Sequence, residues 1–394
     1  MQPTLFHIPG LGLPIKGYGL MMMIGFLTGI YLAARRASRV KANPDLILNG
    51  GFLALIFGVL GARIFFVIHH WEKNFATQEN IFQAAILGIT KGGLEFYGGL
   101  IGAMGAVMLY LYLKGVSVRL YADIISPSVM WGLAITRLGC FLNGCCWGGV
   151  CDHAWAVRFP HGSPAQYQQW EDRKITLPAE LLIQGNERRW QPLPADLAEI
   201  SPEVEHGPRL AQEKAQEALD KAVAGGANEK EIAGLRRKVE LARKRVDMNA
   251  KAYTALRTTK QWYGLTPTEL GDLTTSKRFA ALPVHPAQVY AFVNAMLLSI
   301  LLAIVCRYRK RHGVVFLLMV SIYPISRIIL ETVRIDNALD TGGLTISQGV
   351  SVGMLVAAAL GWIWLFRQPL RSPKAIPFIP PPDPSVADGA PAPA

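Results

Sequence analysis

The chain has 394 residues, 51% hydrophobic and 17% charged, with a mean hydropathy of +0.26. Soluble domains carry about a quarter charged residues; here the apolar residues gather before residue 145 and between 285 and 367, which argues against one large soluble core and for membrane spans. The net charge of +12 sits in short basic clusters beside apolar blocks and in one charged central segment, the pattern of membrane-helix flanks, so no nucleic-acid partner is expected.

In chain order, residues 1–16 lack a basic stretch followed by an apolar core, so no cleavable signal peptide is expected. A helical span needs about 20 mostly apolar residues. Seven stretches qualify or nearly do: 18–34, 46–68, 97–113, 122–141, 287–306, 314–330 and 346–366. Basic clusters follow the first (Arg35, Arg36, Arg39, Lys41), the third (Lys114, Arg119), the fifth (Arg307, Arg309, Lys310, Arg311) and the seventh (Arg367, Arg371, Lys374). All can lie on one side, which puts the N-terminus in the periplasm and the C-terminus in the cytoplasm of a multi-pass inner-membrane protein.

Between the fourth and fifth spans the chain turns polar. Asn228 followed by Glu231 reads as a helix start, and Ile232, Leu235, Val239, Ala242 and Val246 recur at three- and four-residue steps. With an earlier helix over 210–223 and a break at Gly225 and Gly226, this predicts a helical hairpin with one apolar seam, whose ordinary role is a solvated structural arm. The predicted fold is all-α and polytopic, with about seven transmembrane helices and a periplasmic helical insertion. The expected division is a membrane core over 1–148, the insertion over 149–283, a second core segment over 284–370, and a disordered Pro/Ala-rich cytoplasmic tail over 371–394.

Ionisable residues inside spans are costly and mark functional sites by default. Arg63, Arg137 and Arg327 all fall near the periplasmic ends of their predicted spans, with Glu331 one turn after Arg327. A single snorkelling arginine is ordinary. Three on one side suggest a shared polar site, and the planar guanidinium fork suits a phosphate, which in a membrane belongs to a lipid. Glycines crowd the same zone: Gly92, Gly93, Gly98, Gly99 and Gly102 around the third span, and Gly139, Gly144, Gly148 and Gly149 around the end of the fourth. They allow either irregular backbone lining a cavity or tight helix packing.

These residues carry a resemblance. The run Gly92-Gly93-Leu94-Glu95-Phe96-Tyr97-Gly98-Gly99-Leu100-Ile101-Gly102 and the run Thr136-Arg137-Leu138-Gly139-Cys140-Phe141-Leu142-Asn143-Gly144-Cys145-Cys146-Trp147-Gly148 resemble signature segments of the bacterial prolipoprotein diacylglyceryl transferases. Tyr18-Gly19-Leu20-Met21, Gly61-Ala62-Arg63, His285-Pro286-Ala287-Gln288-Val289-Tyr290 and Tyr323 through Arg327 and Glu331 to Arg334 agree with the family in order. The resemblance covers nearly all the membrane part and neither the charged insertion nor the tail. It implies an enzyme that transfers the diacylglyceryl group from phosphatidylglycerol to the lipobox cysteine thiol of preprolipoproteins, the first step of lipoprotein maturation. By the same resemblance Arg137 and Arg327 are catalytic and Glu331 sits at a family motif position; Tyr97, a phenol able to donate to the headgroup or accept the thiol proton, is the further catalytic candidate. Arg137, Tyr18, Arg63, Asn143, Gly148 and Arg334 bind substrate, and no cofactor is used.

The chain departs from the family pattern at four positions. Tyr97 replaces a common histidine, Cys140 an asparagine, Cys145 a glutamate, and Ala291 an acid. A phenol, with a pKa of about 10, is a poorer base than imidazole at neutral pH. The run of Cys140, Cys145, Cys146 and Cys151 lacks the paired spacing of a zinc site, so no metal is expected. An oxidising compartment would allow a disulfide of Cys145 or Cys146 with Cys151. The competing class is a transporter or lipid-binding protein without chemistry, which inverted repeats would favour; none is visible.

Overall fold

A computed structural model describes residues 4–7, 14–71, 93, 95–184, 190–193, 202–225, 228–263, 267–334, 345–375 and 377–379. Among the described residues there are eleven α-helices: α1 (Gly17–Arg39), α2 (Asp45–His69), α3 (Phe96–Leu113), α4 (Val118–Asn143), α5 (Pro164–Glu171), α6 (Pro202–Ala224), α7 (Glu229–Tyr263), α8 (Pro267–Thr275), α9 (Ala287–Tyr308), α10 (Val314–Thr332) and α11 (Ile346–Phe366). Two short antiparallel pairs complete the list: β1 (Thr4–His7) with β2 (Pro14–Lys16), and β3 (Leu182–Gln184) with β4 (Trp190–Pro192).

Seven helices, α1, α2, α3, α4, α9, α10 and α11, are long and apolar enough to cross a bilayer. They turn large apolar side chains outward, Leu27, Phe52, Leu297, Ile329 and Leu360 each being more than half exposed. A soluble protein does not expose such continuous apolar surface; a chain whose solvent is lipid does. The all-α, polytopic expectation holds. Several helices run a few residues past the apolar stretches, because the backbone ladder continues into polar flanks that the hydropathy boundary leaves out.

The chain divides into two compact units: residues 1–23, 135–292 and 330–339, and residues 24–134, 293–329 and 340–394. The first unit holds the end of α4, the insertion and the start of α9. Ser163 caps α5, its hydroxyl accepting from the Gln166 N–H, with Pro164 in the first turn. Phe159, Ala165, Ala281 and Val284 form one small core, and Leu181, Leu193 and Leu270 another. Between them, buried His161 and Gln166 form a closed polar network. His161 Nε2 donates to the Leu193 carbonyl at 2.9 Å, Nδ1 accepts from Gln166 Nε2 at 2.9 Å, and Gln166 Oε1 accepts from the Gly162 N–H at 2.7 Å. Burial holds the His161 ring below its usual pKa, against the Leu193 bond.

In the same unit α6 and α7 pack against each other as a hairpin. Asn228 caps α7, its side-chain oxygen accepting from the Glu231 N–H at 2.9 Å. Between 231 and 247, where side chains are described, Ile232, Leu235, Val239, Ala242 and Val246 are the half-buried positions and their described neighbours are exposed. The seam read from the sequence is the packed one. The first helix starts earlier than expected, at Pro202.

The second unit packs α2 against α3 through glycines. A methyl group added at Gly61, Gly98 or Gly102 would collide with the facing backbone carbonyl of Gly98, Gly61 or Phe57. The close approach requires glycine on both helices. At the basic end of the spans, Asp123 is fully buried in α4. Its carboxylate accepts from the Gly313 and Phe316 N–H groups at 2.8 and 3.0 Å, which caps α10, and lies 2.9 Å from Arg309 Nε. Pro127 leaves the Asp123 carbonyl without its helical donor, and the Cys306 thiol reaches that oxygen at 3.7 Å. The start of the expected disordered tail is ordered: Ala375 packs on the core of α1, α2, α3 and α4, and the Phe378 N–H donates to the Lys41 carbonyl at 2.8 Å. Residues 380–394 lie outside the described residues.

Candidate functional site

The site begins with the way α4 ends. Gly144 takes a left-handed conformation (φ +68), its N–H bonds to the Phe141 carbonyl, and the Cys145 N–H bonds back to the Cys140 carbonyl at 3.1 Å. This pair of bonds is a Schellman turn, which satisfies carbonyls that the last turn would leave orphaned and folds the following chain back over the helix. Cys146 follows in the same left-handed region (φ +61), a conformation that costs a non-glycine residue about 1 kcal/mol or more. The turn therefore carries Cys145 and Cys146 onto Cys140, and the three sulfurs lie within 4.8 Å of one another.

The next segment is pinned on two sides. The Gly148 N–H bonds to the His285 carbonyl and the Gly149 N–H to the Val333 carbonyl, both at 2.9 Å, and the His285 N–H returns to the Gly149 carbonyl. A Cβ at Gly148 would lie 3.0 Å from both the His285 and Val333 oxygens, so only glycine admits this threading. Val284 bridges to both Val150 and Val157. Gln288, at the start of α9, donates to the Cys145 carbonyl at 2.7 Å. Tyr290 accepts from the Trp155 indole at 2.7 Å and lies 3.3 Å from His285 Nδ1. The end of α4, the start of α9 and the end of α10 are thereby fastened to one another.

Two arginines lie on the segments that meet here. Arg137 lies one turn before Cys140 on α4, and Arg334 follows the end of α10. Hydrogen bonds with the Cys140 and Cys145 thiols, and then the charges of Arg334 and Arg137, hold the Cys146 thiol well below its usual pKa range against the opposing effect of burial. Asn143 is the last residue of α4, directly before the turn. Tyr18, on the first turn of α1, packs its backbone where a side chain on Gly139 would stand. Glu331 is buried, at 3% exposure. Of the residues singled out in the sequence, Tyr18, Arg137, Asn143, Gly148, Glu331 and Arg334 therefore all lie in the first unit.

Arg63, Tyr97 and Arg327 belong to the second unit. Arg63 is buried, donates to the Gly93 carbonyl at 3.0 Å and stacks over the Phe66 ring at 5.3 Å. Tyr97 stands half-buried in the first turn of α3 beside Phe96. Arg327 Nε donates to Ser347 at 2.9 Å, at the start of α11, where Thr345 and Gln348 form a capping box. Gly98, Gly99 and Gly102 serve helix packing in this unit, while Gly92 and Leu94 lie outside the described residues.

The spacing rule for paired cysteines passed over the thiol group, because a Schellman turn and not a CxxC knuckle brings the sulfurs together. The readable signal was Gly144, four residues after Cys140 and one before Cys145. The disulfide considered with Cys151 is not formed. All five cysteines are free thiols, and Cys145 and Cys146 face Cys140. His285, Gln288 and Tyr290 entered the sequence reading only as part of a motif; their role in fastening the turn needed the structure.

Fold and site together define a multi-pass helical membrane protein with a polar, arginine-bearing turn at the end of a span. The family model for prolipoprotein diacylglyceryl transferase matches residues 3–200 and 230–364. The chain belongs to that family. A phosphatidylglycerol–prolipoprotein diacylglyceryl transferase of Rhodopirellula baltica is 30% identical over 376 residues, covering 89% of this chain and 72% of that protein. Proteins with the same name from Aliivibrio salmonicida and Photobacterium profundum are 36% and 38% identical over 42% of this chain, and the matched parts span 56% and 60% of their own lengths.

Proposed function

We propose that this protein transfers the diacylglyceryl group of phosphatidylglycerol to the lipobox cysteine thiol of preprolipoproteins at the periplasmic face of the inner membrane. The observation that carries the reading is that Arg137, in the last turns of α4, and Arg334, next to the Val333 carbonyl that holds Gly149, lie on segments fastened together at one turn, in a chain of this family. In the reaction the acceptor sulfur forms a bond to the glyceryl carbon. The bond from that carbon to the phosphate oxygen breaks, and glycerol phosphate departs with the electron pair. The thiol proton passes to a base. Charge grows on the leaving phosphate, so guanidinium groups held in a low-dielectric setting favour the transition state over the bound donor.

In this reading Arg137 binds the donor phosphate and Arg327 supports it or the developing charge. Glu331 and Tyr97 complete the catalytic group, Tyr97 donating to the headgroup or accepting the thiol proton. Tyr18, Arg63, Asn143, Gly148 and Arg334 shape the donor site. The basic clusters face the cytoplasm, with the N-terminus and residues 149–283 in the periplasm, between core segments 1–148 and 284–370. Incubating the purified protein with phosphatidylglycerol vesicles and a lipobox peptide should add a diacylglyceryl mass to the peptide cysteine and release glycerol phosphate. A peptide recovered unmodified, with the donor intact, overturns the reading.

A further inference from the structure

The thiol group at the end of α4 is not explained by the transfer chemistry, in which the reacting sulfur belongs to the acceptor. We propose that Cys140, Cys145 and Cys146 form a binding site for a soft, thiophilic monovalent cation of the copper(I) class. The sulfurs lie within 4.8 Å of one another. A trigonal ion with sulfurs about 2.3 Å away would separate them by about 4 Å, so small side-chain rotations close the set. The backbone already holds them in place. The Schellman bond from Cys145 to Cys140 sets two of the sulfurs, the Gln288 bond to the Cys145 carbonyl braces the turn, and left-handed Cys146 supplies the third. A left-handed cysteine has no local advantage over the glycine or asparagine such a position favours, so the thiol itself accounts for its presence.

The donor set selects the ion. Thiolate sulfur prefers soft metals. Among the described residues no fourth histidine, cysteine or carboxylate atom joins the group. Structural zinc asks for four ligands, while copper(I) is satisfied by three soft sulfurs.

The test uses the whole chain purified in detergent under anaerobic, reducing conditions. Copper(I) is titrated against bathocuproine disulfonate, and its neighbours are read by X-ray absorption. The expected result is one ion per chain with sulfur neighbours only. Cys145→Ser should weaken binding at least about tenfold, and Cys306→Ser should not. Unchanged uptake in Cys145→Ser, nitrogen or oxygen neighbours, or zinc(II) outcompeting copper(I) each overturn the proposal, as does a Cys140, Cys145 or Cys146 disulfide in freshly purified protein. Should Cys145→Ser fail to fold, alkylation of the unaltered chain decides. Copper(I) must shield Cys145 and Cys146 from maleimide, and labelling that proceeds unchanged overturns the site.

Discussion

The two units each gather arginines at helix ends, and they use them in opposite ways. In the second unit Arg309 is 5% exposed and lies against the fully buried Asp123 carboxylate, whose other bonds cap α10. That positive charge is cancelled inside the protein and holds three helices together. In the first unit Arg137 and Arg334 lie on two segments, the end of α4 and the end of α10, that a backbone bond from Gly149 to Val333 fastens at one turn. The difference teaches that an arginine near a membrane helix end has no fixed meaning. A carboxylate within contact makes it architecture; a second arginine on a segment fastened to the same turn makes it a candidate place for an anion.

The comparison breaks most readily at Asp123. Asp123→Asn leaves the Arg309 charge buried without its counter-ion and should cost about 3–5 kcal/mol of stability. Thermal unfolding in detergent reads this, and Asp123→Asn combined with Arg309→Met should recover most of the loss. Single-variant stability equal to the parent would mean the pair is not architectural.

At the other unit the expected loss is in rate and not in folding. Arg137→Lys keeps the charge and loses the planar fork. A charge-assisted phosphate contact contributes about 1.5–3 kcal/mol, so transfer should slow about ten- to hundredfold, and Arg137→Ala more. Unfolding temperature should stay near that of the parent. If Arg137→Lys keeps its rate and loses stability, Arg137 belongs with Arg309. Tyr97→Phe should slow transfer without stopping it; a dead variant would move the chemistry from the arginines to the phenol.

A smaller effect separates packing glycines from bystanders. Gly98→Ala forces a methyl group into the Gly61 carbonyl and the Phe65 side chain and should cost about 1–3 kcal/mol. Gly105 has open space around it, so Gly105→Ala should be neutral or gain up to about 1 kcal/mol of helix propensity. Equal melting temperatures for the two variants would remove the glycine interface from the account.

The smallest expected effect is the acid response of the first unit. His161 is buried neutral, donating through Nε2 and accepting through Nδ1. Its folded pKa lies below the unfolded value of about 6.5, so below that pH the unfolded chain binds more protons. The His161 contribution is complete above about pH 6.5 and is lost as pH falls towards the folded pKa. Unfolding temperatures measured on both sides of that value should show this slope, and His161→Gln should flatten it. His312 in the second unit behaves in the same sense, since burial and then Arg309, Arg119 and Arg371 hold it down to about 4.

The sequence alone determined the seven spans, the hairpin seam and the family, because each is written in local periodicity or in contiguous motifs. Ile232, Leu235, Val239, Ala242 and Val246 declare a packed stripe whatever they pack against, and twenty apolar residues require a helix in lipid whatever the neighbours. What tertiary structure decided is where separate charges and thiols meet. Nothing near Asp123 in sequence announces Arg309 or the start of α10 as its partners. The clustering of Cys140, Cys145 and Cys146 hangs on one left-handed glycine and on backbone bonds from Gly148 and Gly149 to His285 and Val333. Electrostatic pairing depends on distance through space, which a linear pattern does not encode, so the same residue type became a buried strut in one unit and part of a candidate site in the other.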